Sequence, residues 1–175
     1  HDSRRTNPDG TISYNFNADE TVKFPSAVAL LWRWTGDDGF RDEMYDFAVR
    51  NLKYVAETLD ADNDGWPEGL GNVERSGMGP EKLDNAVYYI RGLYDLADMA
   101  RSKNDGDVFA WANNLARKLH QSFDETWWFE TADQYADSLN EPGNLQSFQK
   151  HWIGQTPMEA ELMVKGETVP GLAPF

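Results

Sequence analysis

The sequence predicts an all-α domain built from antiparallel helical hairpins, on three observations. Apolar residues recur at steps of three and four over long stretches. Short breaks rich in Gly and Asp separate those stretches. No long segment alternates apolar with polar side chains. Short turns between long helices make sequential neighbours run antiparallel.

The elements follow in order. Residues 1–24 read as polar and irregular, with a turn at Asn7-Pro8-Asp9-Gly10. Pro25 is expected to open a short helix, because proline fits a first turn. That helix is apolar almost all round (Ala27, Val28, Ala29, Leu30, Leu31, Trp32, Trp34), which predicts burial on most sides. Thr35 to Gly39 breaks it. A second helix is expected over 40–59, with Phe40, Met44, Phe47, Ala48, Leu52, Val55 and Leu59 on its apolar stripe and Asp38 as its cap. Residues 60–80 form a long Gly-rich loop. A third helix is expected over 81–102, with Leu83, Val87, Ile90, Leu93, Ala97 and Ala100 facing inward. Asn104-Asp105-Gly106 turns the chain into a fourth helix, whose face is Val108, Trp111, Leu115, Leu119 and Phe123. After Trp127-Trp128 the pattern weakens. An extended piece is expected over 134–139, a loop over 140–156 and a last short helix over 157–164.

Charge and composition narrow the function. The 175 residues hold 30 acidic and 16 basic side chains, a net charge of −14, which opposes a phosphate backbone and excludes nucleic acid as a partner. No apolar run approaches the ~20 residues of a membrane span, so no membrane partner is expected. With no Cys, disulfides and thiolate sites are excluded. No Ser or Cys nucleophile motif accompanies His151. A loop as long as 60–80 inside a compact helical domain is usually functional.

That loop carries Asp60, Asp62, Asp64, Glu68 and Glu74, together with Trp66. Asp60-x-Asp62-x-Asp64-Gly65 matches the start of a calcium-binding EF-hand loop. However, position 12 is Gly71 in place of the bidentate Glu, and Pro67 falls inside, so no metal and no cofactor are expected. An acidic turn that caps neighbouring helices is the plainer reading of Asp60 and Asp62. Carbohydrate chemistry is the other. Glycoside hydrolysis needs one carboxylic acid held protonated beside the leaving oxygen and a second carboxylate opposite. Trp66-Pro67-Glu68 and Asn72-Val73-Glu74 each present a carboxylate on a constrained loop, and aromatic rings stack on sugar faces.

Four stretches resemble the six-hairpin glycosidases, whose (α/α)6 toroid is shared by glucoamylases, trehalases and glycogen-debranching α-1,6-glucosidases. They are Tyr14-Asn-Phe-Asn-Ala-Asp19-Glu-Thr-Val-Lys-Phe24, Trp32-Arg-Trp-Thr-Gly-Asp37, Asp62-Asn-Asp-Gly-Trp-Pro-Glu-Gly-Leu-Gly-Asn-Val-Glu74 and Asp84-Asn-Ala-Val-Tyr-Tyr-Ile-Arg-Gly-Leu93. The closest likeness is to bacterial glycogen-debranching, amylo-α-1,6-glucosidase-like proteins. The resemblance implies a glycoside hydrolase acting on an α-glucan or another α-glucoside, with no cofactor, in a cytoplasmic setting. It implies Glu74 as the first candidate for general acid and Glu68 as the second, with Asp19, Asp64, Trp66 and Asp84 contacting substrate. Debranching relatives carry Gly-Asn-Thr-Trp-Met-Asp where this chain has Gly71-Asn72-Val73-Glu74-Arg75, which moves the carboxylate from the sixth place to the fourth. The stretch 150–159 resembles loops that close the family's cleft.

Both ends read as cut, and no residue matches the family's second catalytic carboxylate, which lies near the last hairpin. The whole chain, 1–175, therefore reads as one segment of a larger catalytic domain, about half of an (α/α)6 toroid, whose partners are an oligosaccharide or polysaccharide and the rest of that domain. Two other readings stand beside it: a non-catalytic carbohydrate-binding module on the same fold, and a helical-repeat interaction domain with an acidic surface.

Overall fold

The computed structural model describes residues 7–10, 18–141 and 143–162. Among these the chain is mainly helical. Four long helices, α1 (Ala18–Thr35), α2 (Asp38–Thr58), α3 (Leu83–Ser102) and α4 (Gly106–Trp127), are followed by a short α5 (Thr156–Glu159). Tight turns join α1 to α2 and α3 to α4, so each pair is an antiparallel hairpin. α3 packs against α1, α2 and α4, which places it at the centre. Leu83, Ile90 and Leu93 on α3 meet Leu52 on α2 and Leu119 and Phe123 on α4 in the core, and all six are buried. Each such side chain contributes roughly 1.5–3 kcal/mol when fully buried. α1 and α3 approach closely at Gly92, where a Cβ would lie 2.6 Å from the Val22 carbonyl oxygen.

Short strands decorate one end. They are β1 (Glu81–Lys82), β2 (Trp128–Phe129), β3 (Gln134–Tyr135), β4 (Ser138–Asn140) and β5 (Leu145–Ser147). β4 pairs antiparallel with both β1 and β5, with Glu81 opposite Leu139 and Leu139 opposite Gln146. β2 and β3 form a separate hairpin. Thus 81–82 belongs to a sheet, and α3 starts at Leu83 rather than at the expected Glu81. The extended piece expected over 134–139 corresponds to β3 and β4. The others are two or three residues long, too short to show alternation.

Three further expectations need correction. First, Pro25 lies inside α1, which starts at Ala18. Asp19 and Glu20 suit the positive end of the helix, and the amides of Ala18 and Asp19 both donate to the Leu70 carbonyl (3.1 and 3.3 Å). The start of α1 is therefore completed by a distant loop. Second, α1 is not buried on most sides: Leu30, Leu31 and Trp34 are 50%, 49% and 81% exposed. α2 and α3 cover the other side of α1, and this face is open among the described residues. Third, the cap of α2 is Asp37, whose carboxylate accepts the Phe40 amide at 3.0 Å. Asp38 instead accepts from Trp32 Nε1 at 2.8 Å. The Asn7–Gly10 turn closes as expected, with Gly10 N donating to Asn7 O at 2.9 Å. α5 ends at Glu159, and the part of the expected last helix beyond residue 162 lies outside the described residues. No described helix is long and apolar enough to cross a membrane.

Candidate functional site

The loop from α2 to β1 is held at several points along its length. Glu68 N donates to Leu59 O at 2.6 Å, Gly69 N donates to Pro80 O at 3.0 Å, and Glu68 bridges Glu81 as an isolated antiparallel pair. Trp66 is 3% exposed and packs edge-on against Phe123 and Trp127. Its ring anchors the loop to α4 and has no free face for a sugar, which corrects its expected place on a cleft wall.

With Trp66 as the pin, the acids of the loop divide into two groups. The first contains Asp60, Asp62, Asp64 and Glu68, joined by Glu81 from β1 and Glu141 from the β4–β5 turn. Oxygens of Asp60, Asp62 and Asp64 lie within 4.8 Å of one another, and so do oxygens of Asp62, Glu81 and Glu141. The loop is wound inward by its own carboxylates. Asp60 accepts from Gly65 N (3.2 Å), Asp62 from Asp64 N (3.2 Å) and Asp64 from Trp66 N (2.7 Å). Gly65 sits at φ 103°, which only glycine adopts readily. Asp64 also accepts from Asn144 Nδ2 at 2.6 Å, and Glu68 accepts the Ala61 amide at 2.9 Å. Burial, then the neighbouring carboxylates Asp64, Asp62, Glu141 and Glu68, push Glu81 up to about 8. Burial likewise raises Asp60 and Asp64.

The second group contains Asp19, Glu74 and Asp84, with two lysines. Asp84 is fully buried in the first turn of α3. Its Oδ2 accepts the Asn72 amide at 2.7 Å, and its Oδ1 has no partner among the described residues. Burial raises its pKa above the ordinary carboxylate value. Lys23 donates to Asn72 Oδ1 at 2.8 Å and to Asp19 at 3.4 Å, and lies 4.8 Å over the Tyr88 ring. Glu74 is 42% exposed; one oxygen accepts the Gly71 amide at 2.7 Å and the other lies 3.6 Å from Lys82 Nζ. Lys82 is otherwise turned inward onto the carbonyl of Gly79 at 2.7 Å.

Asp19, Glu74 and Asp84 thus come together, whereas Asp64 and Glu68 join the other group. A pocket of about 510 Å³ opens beside the loop, with Glu68, Leu70 and Lys82 in its wall. A second, of about 550 Å³, is lined by Trp128, Tyr135, Lys150, His151 and Trp152. Trp152 is 56% exposed there. Asp137, buried beneath, fixes this rim by accepting the amides of Gln149 and His151.

Sequence reasoning missed Glu81, Glu141, Lys23 and Lys82. Glu81 read as a helix-start acid, and only its pairing with β4 reveals where it points. The chain matches no family model and no curated protein.

Proposed function

We propose that this chain forms part of a glycoside hydrolase of the six-hairpin kind, with its two long hairpins contributing about half of an (α/α)6 toroid. The substrate class is an α-glucan or another α-glucoside. The observation that carries this reading is the meeting of Asp19 from α1, Asn72 and Glu74 from the loop, and Asp84 from α3. These residues come from three of the four stretches that resemble the family, and they are brought to one place by the hairpins.

In this reading Glu74 is the general acid, exposed enough to reach a glycosidic oxygen, and Glu68 is the second choice. The acid gives its proton to the leaving oxygen while a carboxylate elsewhere in the parent domain activates water. Asp84 acts behind the site. It holds the Asn72 amide and so sets the course of the Gly71–Glu74 turn. The exposed ring of Trp152, in the second pocket, offers a face for stacking that the buried Trp66 does not.

The exposed Leu30, Leu31 and Trp34 favour a second reading, a helical interaction module, because a contiguous apolar face marks a contact surface. Under the first reading the same face receives the next hairpin. Incubating the protein that carries this chain with glycogen, maltooligosaccharides, trehalose and small α-glucosides separates the readings. Released sugar supports the hydrolase. Binding without release points to a carbohydrate-binding module. Neither binding nor release leaves the interaction module.

A further inference from the structure

We infer that Asp60, Asp62, Asp64, Glu68, Glu81 and Glu141 form a binding site for a divalent cation of the calcium class. The inference does not rest on the glycosidase reading.

The first argument is charge. Five carboxylates from three separate stretches, those of Asp60, Asp62, Asp64, Glu81 and Glu141, converge, with Glu68 beside Glu141, and none of the six pairs with a lysine, arginine or histidine among the described residues. Asp62 belongs to both sets of mutually close oxygens, so the two sets are one cluster.

The second argument is independent of the cluster. Glu81 is 0% exposed, and neither of its carboxylate oxygens has a hydrogen-bond partner among the described residues. Its carboxylate lies with those of Asp62 and Glu141. A buried carboxylate with nothing to satisfy it is costly, and the groups around it are of like charge. A bound cation reverses that cost by supplying Glu81 with a partner and the cluster with the positive charge that no described side chain brings to it.

The third argument is chain geometry. An EF-hand loop takes ligands from positions 1, 3, 5 and 9, has Gly at 6, and ends on a bidentate Glu at 12. Counted from Asp60, these places hold Asp60, Asp62, Asp64, Glu68 and Gly65. Gly71 stands at position 12, where the sequence reading ended the match. In the fold, Glu81 reaches the cluster from β1, and the Glu68–Glu81 bridge pins the loop against that strand. The closing carboxylate therefore comes from outside the loop. An all-oxygen, highly anionic donor set without His or Cys suits a hard cation, and the number of carboxylates suits calcium over magnesium, which keeps several of its waters. Bound there, calcium would tie the α2–β1 loop to β1 and to the β4–β5 turn.

Calorimetric titration of CaCl2 into the chelator-treated protein that carries this chain tests this, with the melting temperature followed in parallel. The expected result is one Ca²⁺ bound per chain, a higher melting temperature, and a weaker response to MgCl2 at equal concentration. Glu81→Gln is expected to weaken Ca²⁺ binding by at least about tenfold, and to leave the chelated protein folded. Asp62→Asn, at an exposed position, provides a second variant if Glu81→Gln folds poorly, and is expected to weaken binding as much. Absence of binding and of any melting shift at millimolar CaCl2 would overturn the proposal. So would an equal response to MgCl2, or a Glu81→Gln or Asp62→Asn variant that binds like the parent.

Discussion

Asp84 Oδ2 accepts the backbone N–H of Asn72 at 2.7 Å, so a buried acid on α3 fixes the turn that carries Glu74. Its pKa is raised, chiefly by burial, with Lys23 opposing and Asp19 adding to the shift. The folded chain therefore keeps this proton to higher pH than the unfolded chain, whose carboxyl titrates near 3.8. Stability is lost as pH rises from that value through the folded pKa. Asp84→Asn keeps an acceptor for Asn72 and removes the titration. Urea unfolding across the acidic range should show a flatter pH dependence in the variant, and an unchanged slope would contradict the assignment.

Trp66 should matter for stability and not for sugar contact. Its burial against Phe123 and Trp127 puts the cost of Trp66→Ala at roughly 3–5 kcal/mol. Trp66→Phe should recover much of that stability and leave any glycan affinity in place. A selective loss of affinity in a well-folded Trp66→Phe protein would restore the ring to the site.

Gly92 is where α1 and α3 touch. A methyl group there would sit 2.6 Å from the Val22 carbonyl oxygen, and backbone cannot move aside cheaply. Gly92→Ala should destabilise by about 1–3 kcal/mol, read as a lower thermal midpoint. An unchanged midpoint would mean that the helices can separate without penalty.

The open face of α1 makes an opposite forecast. Leu31→Glu should change monomer stability by no more than about 0.5 kcal/mol, because the position is 49% exposed. Any association of the chain with copies of itself, followed by sedimentation, should weaken.

Helix periodicity revealed α2, α3 and α4 because each keeps one apolar stripe against a shared core, and that stripe is written in consecutive residues. The start of α1 depends on the Leu70 carbonyl, far along the chain, and local periodicity carries no sign of that contact. The acids of the loop were visible as a group, but their division was not. Glu68 turns toward Glu81 and Glu141, and Glu74 turns toward Lys82, because strand pairing and the burial of Trp66 set the path of the backbone between them. Neither constraint has a local sequence signature. Glu81 was hidden most completely, since a two-residue strand has no period.

The most direct test of the hydrolase reading is the turnover of Glu74→Gln in the protein that carries this chain, measured on an unactivated α-glucoside and on an aryl α-glucoside with a good leaving group. Loss of a general acid should lower kcat on the first by about 10²–10⁴-fold, with much less loss on the second, whose leaving group needs no proton. Equal turnover by Glu74→Gln and the parent protein on the unactivated substrate would contradict the account.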